Sequence, residues 1–209
     1  ATPCLLIQRE NSSVPNSTQT APVRVSPLLV INRETIVDCQ GLRLEQRPTL
    51  TAIQVLAFAK QFDGVAKAIT KALGVECPTK PGVCNSKDSI QVTWTGPNNW
   101  IVICEEDDSL LAKLKMAVGK KAAVVDQSHG RCGIRLSGVH ARSVMAKNCA
   151  LDFHPDFFKA GNSALTSVAH MNALIIQVDD ESYDLFVARS LARSFVHAIE
   201  HSCAEFAKA

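Results

Sequence analysis

The string Asp126-Gln127-Ser128-His129-Gly130 puts an acid, a hydroxyl and an imidazole within a few residues, the groups that proton transfer or nucleophilic attack would use. A catalytic triad, however, converges in space rather than along the chain, and Ser128 is not flanked by glycine on both sides as a nucleophile elbow is. Asp126 and Ser128 are better suited to holding a tight turn through side-chain to backbone hydrogen bonds. His197 and His201 stand one helical turn apart, the spacing of a metal pair, but Glu200 between them is in the wrong order for a zincin, and a solvated helix face accounts for all three. His154-Pro155 lies beside Asp152, Phe153, Phe157 and Phe158, so three aromatic rings surround a His-Pro step in a compact loop. Such a loop packs on its own core or anchors a partner chain. The partner reading gives a candidate subunit interface of Pro27, Leu28, His154, Pro155 and Phe157.

Eight cysteines, at positions 4, 39, 77, 84, 104, 132, 149 and 203, form no C-x-x-C pair, and no histidine sits at a zinc-type offset from them. Cys77 and Cys84 bracket a Pro-Gly loop where a bridge is feasible; the remainder read as reduced, largely buried thiols. Neither G-x-G-x-x-G nor G-x-x-x-x-G-K-[ST] occurs, so no phosphate cradle is visible. The residues therefore predict no catalytic, cofactor-binding or metal site in this chain. Trp94 and Trp100 flank the Gly96-Pro97 turn, expected on opposite sides of a hairpin with Trp100 in the core.

The elements that must carry these groups follow from hydrophobic spacing. Residues 1–41 are rich in Ser, Thr, Pro and Asn and read as an N-terminal arm, ending near the apolar Pro27-Leu28-Leu29-Val30-Ile31 that suits docking on another surface. Residues 50–59 read as a strand, Phe62-Asp63-Gly64 as a turn and 65–73 as a helix stopped by Gly74. A loop spans 77–87, strands 90–94 and 100–104 form a hairpin, and Asp108 or Ser109 caps a helix to Val118 with Gly119 after it. The order then repeats: strand 133–136, turn Ser137-Gly138, helix 139–147, a long loop, strands 164–169, 173–178 and 183–187, and a last helix capped by Ser190. The prediction is an α+β fold of two similar antiparallel-sheet lobes backed by helices, the first over residues 42–121 and the second over 122–209.

With 46% hydrophobic residues, 20% charged residues and a net charge of +2 over 209 residues, the composition suits a well-filled core and provides no basic stripe for nucleic acid. No apolar run is long enough to span a bilayer, and the N-terminus lacks a signal-peptide layout, so a cytoplasmic protein without nucleic-acid or membrane partners is expected.

Several strings, in order, resemble the gamma subunit family of heterotetrameric sarcosine oxidases. They are Thr95-Gly96-Pro97-Asn98-Asn99-Trp100, the run from Ala123 through Asp126-Gln127-Ser128-His129-Gly130-Arg131, Leu136-Ser137-Gly138 and Leu151-Asp152-Phe153-His154-Pro155. Tyr183-Asp184-Leu185-Phe186-Val187-Ala188-Arg189-Ser190 and Cys203-Ala204-Glu205-Phe206 complete them. The resemblance implies a fold like the folate-binding region of glycine-cleavage aminomethyltransferases and a complex with alpha, beta and delta subunits. It further implies that FAD, covalent FMN, NAD and tetrahydrofolate reside in the large subunits and zinc in delta, with none in gamma. Such a complex demethylates sarcosine oxidatively to glycine, passes the one-carbon unit to tetrahydrofolate and releases hydrogen peroxide. The Cys77 to Cys84 loop and the many cysteines depart from the family pattern. Three alternatives stay open: a stand-alone folate-binding aminomethyltransferase-like protein, the gamma subunit of a related N-methyl amine oxidase, and a hydrolase built on Asp126, Ser128 and His129.

Overall fold

The computed structural model describes residues 26–28, 35–47 and 50–206. Leu29, Val30 and Ile31 of the arm, and Cys4, lie outside the described residues. In chain order the elements are strands β1 (Thr35–Cys39), β2 (Leu42–Arg47) and β3 (Leu50–Ala57), helix α1 (Phe62–Leu73), and strands β4 (Cys84–Lys87), β5 (Ile90–Gly96) and β6 (Asn99–Glu105). Helix α2 (Leu110–Val118), strands β7 (Ala122–Asp126) and β8 (Arg131–Ser137) and helix α3 (Ala141–Asn148) follow. Strands β9 (Ser163–Val168), β10 (Met171–Asp179) and β11 (Ser182–Ala188) and helix α4 (Ala192–Cys203) complete the chain.

The expected α+β class and its two antiparallel sheets are present, as a six-stranded sheet ordered β1-β2-β8-β11-β10-β9 and a five-stranded sheet ordered β4-β5-β6-β3-β7. The internal repeat is visible in these orders. The set β3-β6-β5-β4 in one sheet corresponds strand for strand to β8-β11-β10-β9 in the other, with α1 and α3, then α2 and α4, at matching places.

Strand alternation explains how four layers form. In β6, Trp100, Val102 and Cys104 join the apolar cluster beneath α1 and α2, while Ile101 and Ile103 turn the opposite way. In β10, Ile175 packs toward α3 and α4, while Leu174 and Ile176 face Ile101, Ile103, Ala52 and Phe186. The two sheets thus stack face to face over a third apolar cluster, with a helical layer outside each. Because both faces are covered, β6 and β11 read as continuous buried runs, and each fully buried large side chain contributes about 1.5–3 kcal/mol. In α1 the buried Val65, Ala66, Ile69 and Leu73 form one stripe, and Gly74 ends the helix at φ 69°, its N–H donating to the Thr70 carbonyl at 2.8 Å.

The strands do not keep to divisions at residues 41 and 121. β2 leads the first half but pairs with β8, and β7 leads the second half but pairs with β3. Each half therefore donates its first strand to the other half's sheet. β1, expected to be the end of an extended arm docked on a surface, forms the outer edge of the six-stranded sheet beside β2. At the far side the sheets are stitched by main-chain bonds: Cys84 N–H to Gly161 O at 2.8 Å and Ser163 N–H to Gly82 O at 3.0 Å.

Other local expectations change for physical reasons. Phe62, Asp63 and Gly64 form the first turn of α1 and not a separate turn, since glycine is tolerated there. The 77–87 segment contains β4, a polar edge strand with no alternation to betray it. Ser190 does not cap α4: it lies in a 3-10 turn at 189–191, and Leu191 occupies the capping position. Trp94 and Trp100 are direct cross-strand partners, so they share a face instead of opposing each other; Trp100 is fully buried, with its Nε1 donating to the Pro78 carbonyl at 2.7 Å.

Candidate functional site

The Asp126–His129 string forms the crossing from β7 to β8. Ser128 N–H donates to Asp126 Oδ1 at 2.8 Å, and Gly130 N–H closes the turn on the Gln127 carbonyl at 2.9 Å. Ser128 Oγ accepts the Ala52 N–H at 3.0 Å, and Gln127 N–H returns a bond to the Ala52 carbonyl at 2.8 Å. Asp126 and Ser128 thus tie the crossing to β3, as a turn requires, and no hydrogen bond joins Ser128 to His129 to make a nucleophile and base.

A group not singled out by sequence occupies the space between the sheets. Asp184 on β11 is fully buried, accepts a bidentate pair from Arg135 (Nε 2.7 Å, Nη2 2.9 Å), and is bonded by Arg47 Nη1 at 2.5 Å. Gln91 Nε2 reaches it at 3.1 Å from the other sheet. Hydrogen bonding to Asp184 raises the Arg135 guanidinium above its ordinary value, fixing the positive charge there. The only sequence signal was an acid at an inward strand position beside Phe186, within Tyr183-Asp184-Leu185-Phe186.

The 151–158 loop is pinned from α3. Arg142 donates to the Phe153 carbonyl, to the Phe158 carbonyl at 3.2 Å and to the Asp180 carbonyl at 3.3 Å. Phe153 and Phe158 turn inward onto the chain's own core, Phe153 meeting Phe158 and Tyr183 edge-on at 5.3 and 5.8 Å between centroids. Asp152 Oδ1 accepts the His154 N–H at 2.8 Å, and this fixes the loop so that His154, Pro155 and Phe157 project. Phe157 is 72% exposed, and its ring lies 6.1 Å from that of His154. Leu28, by contrast, is fully buried in the core under α3 and α4, so it belongs to the chain's own packing and not to an exposed interface. Pro27 remains half-buried at the surface beside the β7–β8 crossing, far along the sequence from the Phe157 loop.

His197 is exposed on α4, His201 is exposed one turn later, and among the described residues no group of three His, Cys, Asp or Glu side chains could share a metal ion. Cys77 and Cys84 form no bridge with each other and are free thiols. Burial pushes Cys77 up to about 12 and Cys84, Cys132 and Cys203 up to about 11. The folded protein holds these protons where the unfolded chain releases them, so their stabilising effect is complete below the unfolded thiol range and is lost as pH rises through the folded values. Unfolding in urea from pH 8 to 11.5 should therefore show stability falling from about pH 9 upward. At pH 8 these four thiols should react with a disulfide reagent only on unfolding.

Two stacked antiparallel sheets between helical layers, with repeated strand orders, define a class that also contains the glycine cleavage system aminomethyltransferase T of Bartonella henselae. That structure matches with a TM-score of 0.57 at 13% identity over 77% of this chain and 46% of its own, a likeness of fold. A chain of the heterotetrameric sarcosine oxidase from Corynebacterium sp. U-96, solved with pyrrole 2-carboxylate, is similar with a TM-score of 0.80 at 26% identity, covering 89% of this chain and 97% of that one. The model of the family "Sarcosine oxidase, gamma subunit" matches residues 60–205. Sarcosine oxidase subunit gamma of Corynebacterium sp. (strain P-1) is 30% identical over 166 residues, 78% of this chain and 82% of the relative. The subunit gamma of strain U-96 is 30% identical over 144 residues, 68% and 70% of the two chains. The chain belongs to the sarcosine oxidase gamma subunit family.

Proposed function

We propose that the chain is a structural subunit, without cofactor or catalytic residues of its own, of a cytoplasmic heterotetrameric sarcosine oxidase. Its partners are the alpha, beta and delta subunits. The complex converts sarcosine to glycine, passes the methyl carbon to tetrahydrofolate and reduces oxygen to hydrogen peroxide, using flavins, NAD, folate and zinc held by the other chains. The observation that carries this reading is the extent of the match to a chain of a heterotetrameric oxidase, 97% of whose length is covered. The site geometry supports it. Asp126 and Ser128 hold a turn, while Asp184 ties Arg47 and Arg135 within the six-stranded sheet and takes Gln91 from the other; all are engaged in the fold.

Pro27, His154, Pro155 and Phe157 supply the contact with a partner. Phe157 is the anchor, since an exposed ring on a pinned loop loses little conformational freedom on burial. Co-expression with the three other subunits should yield one complex containing this chain. The Phe157→Ala variant should be retained about tenfold more weakly or worse, with the melting temperature of the isolated chain unchanged. Recovery of the other three subunits as a fully active, equally heat-stable enzyme without this chain would sink the proposal.

A further inference from the structure

β8 carries two arginines four residues apart, and the strand register gives them opposite surroundings. Cys132, Ile134 and Leu136 point into the core under α3 and α4, so Arg131 and Arg135 both point to the side facing the other sheet. Arg135 stands opposite Asp184 on β11 and Glu45 on β2. Arg131 stands opposite Ala188, where no carboxylate is available. Among the described residues its Nε is buried without a hydrogen-bond partner, and burial lowers its guanidinium with no neighbouring acid to offset the effect. The side chain as a whole is half-buried and its guanidinium stays charged at neutral pH, but a sealed Nε–H without an acceptor is unfavourable.

Beside Arg131 lies a cavity of about 30 Å³ with Ser128, His129, Arg189 and Pro27 in its wall and no Asp or Glu among the described residues that line it. A single water needs roughly 10–15 Å³ by this measure, so the cavity takes two oxygen-sized atoms. Pro27, His129 and Arg189 also line an adjoining open depression of about 680 Å³, which gives a route from solvent. We propose that this cavity is an anion site that takes a carboxylate group, with Arg131 as the principal donor. The planar fork of Nε and one Nη suits the two oxygens of a carboxylate in the bidentate arrangement that Arg135 makes with Asp184. A spherical halide would satisfy one donor and leave the other unmet. The carboxylate comes either from a small free acid or from an acidic side chain of a partner subunit; only the second source rests on the subunit reading.

Thermal melts of the isolated full-length chain in sodium formate, against sodium chloride at equal ionic strength, test the site directly. Formate at about 100 times its dissociation constant should raise the melting temperature by roughly 5–10 °C over chloride. Arg131→Met should abolish the formate effect and, having lost an uncompensated charge, should melt no lower than the parent in chloride. Arg131→Lys, which keeps the charge without the fork, should weaken formate binding about tenfold, as read by NMR of labelled formate. Repeating the titration on the assembled complex separates the sources. A complex that no longer responds has the site filled by a partner's carboxylate, and one that responds like the free chain takes a free acid; either upholds the site. No formate response in the wild-type chain, or an equal response in Arg131→Met, would overturn it.

Discussion

Replacing Asp184 with alanine should lower the unfolding free energy by about 3–5 kcal/mol, with a melting temperature roughly 10 °C lower. The side chain is fully buried and accepts bonds from Arg47, Arg135 and Gln91. Its removal leaves two guanidiniums facing each other between the sheets without a counter-charge, and it also unties β5 from β11, since Gln91 is the partner that crosses the gap. Asp184→Asn should cost nearly as much, because an amide presents donors to a donor-rich pocket. Replacing Arg47, Asp184 and Arg135 together by apolar residues of similar volume should recover most of the loss, since the ion group repays its own desolvation only when complete. Urea unfolding of the three variants decides the matter; a loss below about 1 kcal/mol for Asp184→Ala would show that the cluster is not a structural tie.

A second large effect is expected at Gly138, between β8 and α3. It adopts φ +113°, and a Cβ there would lie 2.3 Å from the carbonyl oxygen of Gly41 and 2.7 Å from its carbonyl carbon. Both obstacles are main chain, in the turn between β1 and β2, so no side-chain rotation relieves them. Gly138 N–H also donates to the Glu181 carbonyl at 2.9 Å, and Gly41 O accepts His140 N–H at 3.1 Å, so three segments meet at this point. Gly138→Ala should cost at least about 3 kcal/mol, the strain of an unfavourable φ adding to the clash. The circular dichroism melt should shift accordingly, and the β1–β2 hairpin should become the first site of limited proteolysis. By contrast Gly74→Ala, left-handed at φ +69° with only the flexible end of Lys87 near its Cβ position, at 3.8 Å, should cost only about 1 kcal/mol, which separates the clash from the backbone effect.

The parts of the fold legible from sequence are those whose signal is local. α1 and α2 show themselves by apolar positions three and four apart and by Gly74 and Gly119 at their ends, and the β5–β6 hairpin by alternation around Gly96-Pro97. β4 was hidden because Cys84-Asn85-Ser86-Lys87 is an edge strand whose polar residues face outward. β7 was hidden because its five residues, also at an edge, contain no alternation and end in the conspicuous Asp126. The exchange of β2 and β7 leaves no local trace, as pairing partners are chosen by distant strands. The candidate interface was half legible. Three phenylalanines announced a packed loop, but only register and Arg142 decide that Phe153 and Phe158 turn in and Phe157 turns out. Asp184 was invisible as a site because its partners are far away in the chain: Arg135 lies 49 residues earlier and Arg47 137 residues earlier.

Reciprocal exchange of leading strands also determines when this chain becomes foldable as it leaves the ribosome. β2 is synthesised early, yet its inner neighbour β8 arrives only about ninety residues later, Arg43 aligning with Ser137. At a translation rate of about 5–20 residues per second, that edge waits of the order of 5–20 s. The first sheet is no better placed, because β3 lacks its outer partner until β7 has been made. A nascent chain that has completed α2 is therefore not a finished unit awaiting a second one; it presents two unpaired strand edges at once, each a template for pairing with another nascent chain. Emergence of Arg131–Ser137 from the exit tunnel closes β2's open edge, with β3's already covered by β7, but β8 then shows an open edge of its own until Ser182–Ala188 pairs with it, and that pairing is the point of commitment in biosynthesis. Premature termination anywhere before it should produce aggregating material and not a smaller folded domain.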